Sequence, residues 1–249
     1  MEMPNIMRKT ILTFLSALLI TTSFGQNWLD VGVKGGYGLT LLFNQNIFDD
    51  ASYNHQLSTG YTFGGKFGYN FGEFHEVTFD VMSSSFNQKF KFNVMDSLSG
   101  ATPEYQSSVA YRALDLFLMY RNNNSGRYFE IGPMISLIRN ATHTNEFLEV
   151  SNSDASPNWA KNGYGISMGF GAYMIGTENF GVTFGARFNY MISDALSASG
   201  QYYNYPTNKT YDSYKASHPF SAMVVMEMNY DLGYLAQGKC SKRRKILLF

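Results

Sequence analysis

Phe180-Gly181-Val182-Thr183-Phe184-Gly185-Ala186-Arg187-Phe188-Asn189-Tyr190-Met191-Ile192 sets a large apolar side chain at nearly every even position. Glycine, threonine, arginine and asparagine fill the odd positions between them as far as Asn189, and Met191 is the one exception. A period of two belongs to a β-strand whose two faces meet different surroundings. Here the apolar face is bulky and the other is small or charged. That inequality decides the fold.

The same alternation recurs along the chain. It begins with Leu29, Val31, Val33, Tyr37, Leu39, Leu41 and Phe43, then Tyr61, Phe63, Phe67, Tyr69 and Phe71. Val77, Phe79 and Val81 continue it at odd positions, whereas Phe86, Phe90 and Phe92 are even, which predicts a bulge near Ser83 to Ser85. Further strands are marked by Leu114 to Tyr120, Phe129 to Leu137, Tyr164 to Met174 and Phe220 to Leu232. With the opening stretch these make eight strands. The interior of an eight-stranded barrel is only just wide enough to be filled by side chains. The glycine-rich face fits inside it and the aromatic face does not, so the aromatic face meets lipid. Closure follows, because no unpaired strand edge can face hydrocarbon. The expected fold is all-β: an eight-stranded antiparallel up-and-down transmembrane β-barrel.

The connections agree. Residues 44–58, 93–108, 140–162 and 194–217 form long links, and 72–74, 122–127 and 177–179 form short ones, in strict alternation. Outer-membrane barrels have long extracellular loops and short periplasmic turns. An even strand count then sets both barrel ends on the periplasmic side.

The chain has 249 residues, 18 Tyr, 21 Phe, 23 Gly and one Cys. That composition excludes a disordered chain, a disulfide scaffold and a cysteine zinc site. No cofactor and no metal site is expected. Arg8 and Lys9, the apolar run from Ile11 to Ile20 and small residues at Ser23 and Gly25 read as a signal peptide over 1–25. The barrel then occupies 26–234 and a basic periplasmic tail 235–249. The formal net charge of zero is a cancellation: +1 on the first segment, −6 on the barrel and +5 on the tail. Neutrality gives no support for nucleic-acid binding.

Four features are candidates for function. Parity turns Asp30, Lys34, Lys66, Glu76, Asp80, Asp115, Glu130, Arg187, Glu227 and Asp231 into the lumen. Of these, Lys34, Lys66, Asp80, Asp115, Glu130, Arg187 and Glu227 fall near mid-height. Opposite charges in so narrow a space must pair, since an unpaired buried ion is strongly disfavoured. The expectation is a salt-bridged plug, with a gated ion path through the same residues as the alternative. The histidines are the second feature. His143 with Glu146, or His218 with Asp212, would be the pair of a barrel hydrolase, and a solvated loop histidine is the plainer account. Third, the last loop carries Tyr202, Tyr203, Tyr205, Tyr211 and Tyr214, and tyrosine gives contact area at low entropic cost. It either binds a partner or packs over the barrel mouth. Fourth, Lys242, Arg243, Arg244 and Lys245 could hold anionic headgroups or a periplasmic partner. The lone Cys240 could form an intermolecular disulfide.

The stretch Tyr111-Arg112-Ala113-Leu114-Asp115-Leu116-Phe117-Leu118-Met119-Tyr120, a polar turn, and Tyr128-Phe129-Glu130-Ile131-Gly132-Pro133 resembles a central signature of the PorT-like outer-membrane β-barrel family of Bacteroidota. Asp115 stands where that family usually has proline, and Met119 where it often has a basic residue. The resemblance implies an exported eight-stranded barrel in the cell outer membrane, and some relatives serve secretion or gliding machinery. Taken together, the expected protein is a small non-enzymatic barrel in outer-membrane lipid. Its loops would serve surface binding of an extracellular ligand or envelope protein, or an envelope-structural role. A narrow channel or secretion-complex component is the alternative, and a barrel enzyme acting on lipid A or peptides a further one.

Overall fold

A computed structural model describes residues 27–72, 74–94, 102–177, 179–207 and 209–234. The segment read as a signal peptide lies outside these residues, as does the tail with Cys240, Lys242, Arg243, Arg244 and Lys245. Ten strands form: β1 (Asn27–Phe43), β2 (Tyr53–Gln56), β3 (Ser58–Phe71), β4 (His75–Asn93), β5 (Glu104–Asn124), β6 (Arg127–Asn145), β7 (Val150–Asp154), β8 (Asn162–Gly176), β9 (Phe180–Met191) and β10 (His218–Tyr234). Eight of them close a ring in the order β1-β3-β4-β5-β6-β8-β9-β10, each antiparallel to its neighbours, with β10 returning to β1. The fold is an eight-stranded up-and-down transmembrane β-barrel. β2 and β7 lie outside the ring, paired to the overhanging loop ends of β4 and β6.

The faces divide as side-chain volume requires. Val33, Tyr37, Phe63 and Tyr164 are exposed outward, while Lys34, Lys66, Thr62 and Ser167 are buried inward. No helix among the described residues is long and apolar enough to cross a membrane. At the turn end, Phe71, His75 and Tyr120 stack along the outer wall, and His75 Nδ1 lies 2.7 Å from the Tyr120 hydroxyl. The turn joining β5 to β6 is only Ser125-Gly126, both at positive φ (51° and 76°), which matches the twist of a tight hairpin.

The bulge expected near Ser83 to Ser85 does not form. β4 runs in unbroken register with β5 from His75 opposite Asn122 to Asn93 opposite Glu104. Phe86, Phe90 and Phe92 therefore point inward and are buried. They are apolar because the barrel changes its contents toward the loop end. There the loops fold over the mouth, and the inner wall meets side chains in place of water. This cap is an apolar core of Leu42, Ile47, Phe86, Phe90, Tyr111, Trp159, Leu196 and Tyr205, among others. Register shifts occur elsewhere, one of them between Arg112 and Ala113.

Candidate functional site

The lumen near the turn end is filled by charge. Reading across the register, Arg187 lies opposite Gly169, Gly169 opposite Glu130, Glu130 opposite Arg121, and Arg121 opposite Glu76. Along this row, across five of the eight wall strands, the four charges alternate in sign with Gly169 between the first two. Arg187 reaches Glu130 at 2.5 Å and Asp80 at 2.9 Å. Lys34 holds Asp80 at 2.6 Å and Glu227 at 2.8 Å, and Lys66 holds Glu76, Glu227 and Asp30 at 2.5–3.2 Å. Arg121 clamps Glu227 with two nitrogens at 2.7 Å and Glu130 at 2.8 Å, with Glu76 at 3.7 Å. Its guanidinium lies over the Tyr128 ring, 4.4 Å from the centroid. Four cations and five carboxylates form one connected network, and every one of their side chains is nearly inaccessible to solvent. Charges so buried are tolerable only when paired and hydrogen-bonded, which all nine are.

Glycine makes room for this network. A Cβ at Gly169 would stand 2.8 Å from a Glu130 carboxylate oxygen, and one at Gly171 would meet the Tyr128 ring at 2.6 Å. β8 supplies no charge; its small residues leave the space that Glu130 and Tyr128 cross.

Of the seven residues expected in a lumen network, the structure brings together Lys34, Lys66, Asp80, Glu130, Arg187 and Glu227. Asp115 is a correction: no ion pair reaches it among the described residues. Its carboxylate accepts the Ser136 hydroxyl at 2.5 Å, in a cavity of about 40 Å3 that Ser84 also lines. Met82, Phe117, Met119 and Met134 form an apolar layer beside it. Phe117 also faces the Arg187 guanidinium at 5.1 Å, so this layer roofs the network. Asp231 is only half-buried. Arg121 went unnoticed in the sequence, although it continues the odd parity of Asp115, Phe117 and Met119.

The histidine pairs do not assemble. His143 Nε2 lies 3.0 Å from Ser107 Oγ, and its ring packs edge-on to Tyr205 under the cap. Glu146 instead accepts the Gln106 N–H at 2.8 Å. His218 Nδ1 faces the Met191 carbonyl at 3.1 Å rather than Asp212.

The five loop tyrosines separate into two groups. Tyr202 and Tyr203 are exposed at 80% and 59%, their rings edge to face at 4.9 Å. Tyr205 is buried in the cap, Tyr211 donates to Asp50 at 3.2 Å, and Tyr214 donates to Asp194. Lys209 joins Asp50 at 2.9 Å, tying the last loop to the first. Burial would raise the Asp50 carboxyl, but the Ser52 hydroxyl and N–H and the Lys209 ammonium outweigh it and hold the group down at about 2.

No family model matches this sequence, and no curated protein matches it. Among solved structures, Neisserial surface protein A (NspA) is 12% identical, with 80% of this chain and 95% of that one covered and a TM-score of 0.39. The outer membrane protein OprG from Pseudomonas aeruginosa is 9% identical over 84% of this chain and 97% of its own, with a TM-score of 0.39. Ail, the attachment invasion locus protein of Yersinia pestis, determined with the heparin analogue sucrose octasulfate, is 11% identical over 82% and 99%, with a TM-score of 0.37.

Proposed function

We propose that this protein is a non-enzymatic barrel of the bacterial outer membrane, closed to ions, that presents a rigid loop platform to surface ligands or envelope partners. The observation that carries this reading is the lumen: nine charged side chains cross-link seven of the eight wall strands, and each of the nine is in an ion pair. Long links all lie at one end and tight turns at the other, so the capped end faces outward and the turns face the periplasm. The exposed Tyr202–Tyr203 pair is the contact surface on that platform. Export through a cleavable signal peptide and kinship with the PorT-like barrels of Bacteroidota belong to the same proposal. They are supported by the N-terminal pattern and by the Tyr111 to Pro133 motif.

Reconstitution in a planar bilayer tests it. The expected trace is a silent baseline with rare, small excursions; large and stable single-channel steps would replace the plug with an ion path. Affinity purification from membranes then identifies what the platform holds.

A further inference from the structure

The outer wall carries a cationic groove where the apolar belt ends. On β5, Arg112 stands two residues beyond the belt residue Leu114, and it lies opposite Asn140 of β6. The next pair toward the turns is Ala113 with Ile138, so Arg139 is the extra residue of a β-bulge. A bulge bends its strand and re-aims a side chain, and Arg139 is exposed. On the third segment, the Lys161 carbonyl accepts the Ile138 N–H at 2.9 Å, and Asn162 pairs with Leu137. Three cations thus sit at one height on three adjoining stretches of backbone.

Arg139, Lys161 and Asn162 line a groove of roughly 370 Å3 with Leu137 at its lower edge, within the size range of small-molecule sites. None of the three cations forms an ion pair with a described residue. The nearby acids each hold a partner of their own, with Asp154 bordering the groove through Ser156, and none pairs with these three cations. Glu104 holds Lys91 at 2.6 Å, Glu146 takes the Gln106 N–H, and Asp154 takes the Ser156 N–H. Immediately below lie Ile135, Tyr164 and Ile166, exposed and apolar. A ligand here meets guanidinium and ammonium groups at one end and hydrocarbon-facing wall at the other.

We infer that this groove binds the phosphorylated headgroup of an anionic lipid in the outer leaflet, with its acyl chains lying along the wall below. Arginine suits a phosphate because its planar fork donates two parallel hydrogen bonds, and lysine adds a point charge. Charge at headgroup depth costs little, since long basic side chains keep their heads at the interface. The inference rests on the proposed orientation with the loops outside.

The test titrates the detergent-refolded barrel with bisphosphorylated lipid A, with its dephosphorylated form and with inorganic phosphate. The triple variant Arg112→Ala, Arg139→Ala, Lys161→Ala is compared with Lys89→Ala, an exposed cation further along β4. Expected is binding about tenfold weaker in the triple variant, unchanged in Lys89→Ala, and no difference between proteins once the lipid lacks phosphate. Equal affinity of wild type and triple variant overturns the inference. So does inorganic phosphate binding as tightly as the lipid, which would make this a soluble-anion site. Heat-modifiable gel migration reports folding, and Lys161→Glu alone serves if the triple variant does not fold. Orientation is read apart, by maleimide labelling of intact cells carrying Lys161→Cys with Cys240→Ser. Absent labelling with intact lipid binding would condemn the orientation and spare the groove.

Discussion

Arg121 is the residue on which the lumen network turns, and Arg121→Met is the perturbation that exposes it. The guanidinium makes two contacts of 2.7 Å to Glu227 and contacts of 3.0 and 2.8 Å to Glu130, and it covers the Tyr128 ring. Methionine keeps much of the volume and none of the charge. Removing one partner from a buried ion pair costs about 3–5 kcal/mol, because the remaining charge is left without compensation. Here each orphaned carboxylate keeps another cation: Glu130 has Arg187, Glu227 has Lys34 and Lys66, and Glu76 has Lys66. The cost therefore falls at the lower end of that range, about 3 kcal/mol. Glu227→Gln alone costs a similar amount, since it weakens one contact each of Lys34 and Lys66 and both contacts of Arg121 to this carboxylate. In the double variant the two missing groups are mutual partners, and the balance of cations to carboxylates returns to one excess carboxylate. Its cost should fall short of the sum of the singles by at least about 2 kcal/mol. Urea unfolding in lipid vesicles, followed by tryptophan emission, measures all four proteins. Additive losses would refute a coupled network and reduce it to independent surface-like pairs.

Three further outcomes follow from the same geometry. Asp115→Asn should leave the melting temperature unchanged or higher, because the amide oxygen can still accept the Ser136 hydroxyl and no cation loses a partner; a marked drop would reveal an unrecognised counter-charge. Tyr205→Ala should cost about 3–5 kcal/mol as a buried aromatic truncation, whereas Tyr202→Ala with Tyr203→Ala should shift stability by less than about 0.5 kcal/mol, both read by thermal melts. The Asp50 carboxyl sits at about 2 in the folded cap against an ordinary 3.8, so its contribution is whole above pH about 4 and drains away between pH 4 and 2. Limited proteolysis of the loops across that window should show the cap loosening, and Asp50→Asn should erase the step.

The sequence disclosed the barrel because its two faces differ in volume, a property that needs no neighbours to interpret. Parity alone turned eight of the nine network residues inward, all but Arg121, and six of those eight were also placed at mid-height. Height was less legible. Asp115 lies near the middle of β5, yet β5 overhangs the loop end of the ring, so its midpoint stands above the charged layer. Arg121 was lost for the complementary reason: a turn expected over 122–127 is in truth Ser125-Gly126, and the strand runs on past Tyr120. Phe86, Phe90 and Phe92 misled because an aromatic on the inner face looks like an error in a membrane barrel. Only the folded loops above show that part of the inner wall to be a protein core.

That core changes how the last loop can be interrogated. Excising residues 202–214 would take away the exposed Tyr202 and Tyr203, but also Tyr205, which closes over Trp159 with ring centroids 6.1 Å apart. It would further remove Lys209 and Tyr211, which hold Asp50 of the first loop. Lost binding in such a deletion would report a collapsed cap as readily as a lost contact surface. The charged layer below would keep its own contacts in either case, because it is roofed by Met82, Phe117, Met119 and Met134 and shares no side chain with the cap core. The proposed closure and the proposed presentation thus fall to different strata of one barrel. The Tyr202 and Tyr203 double substitution probes presentation alone, and the Arg121 and Glu227 cycle probes closure alone.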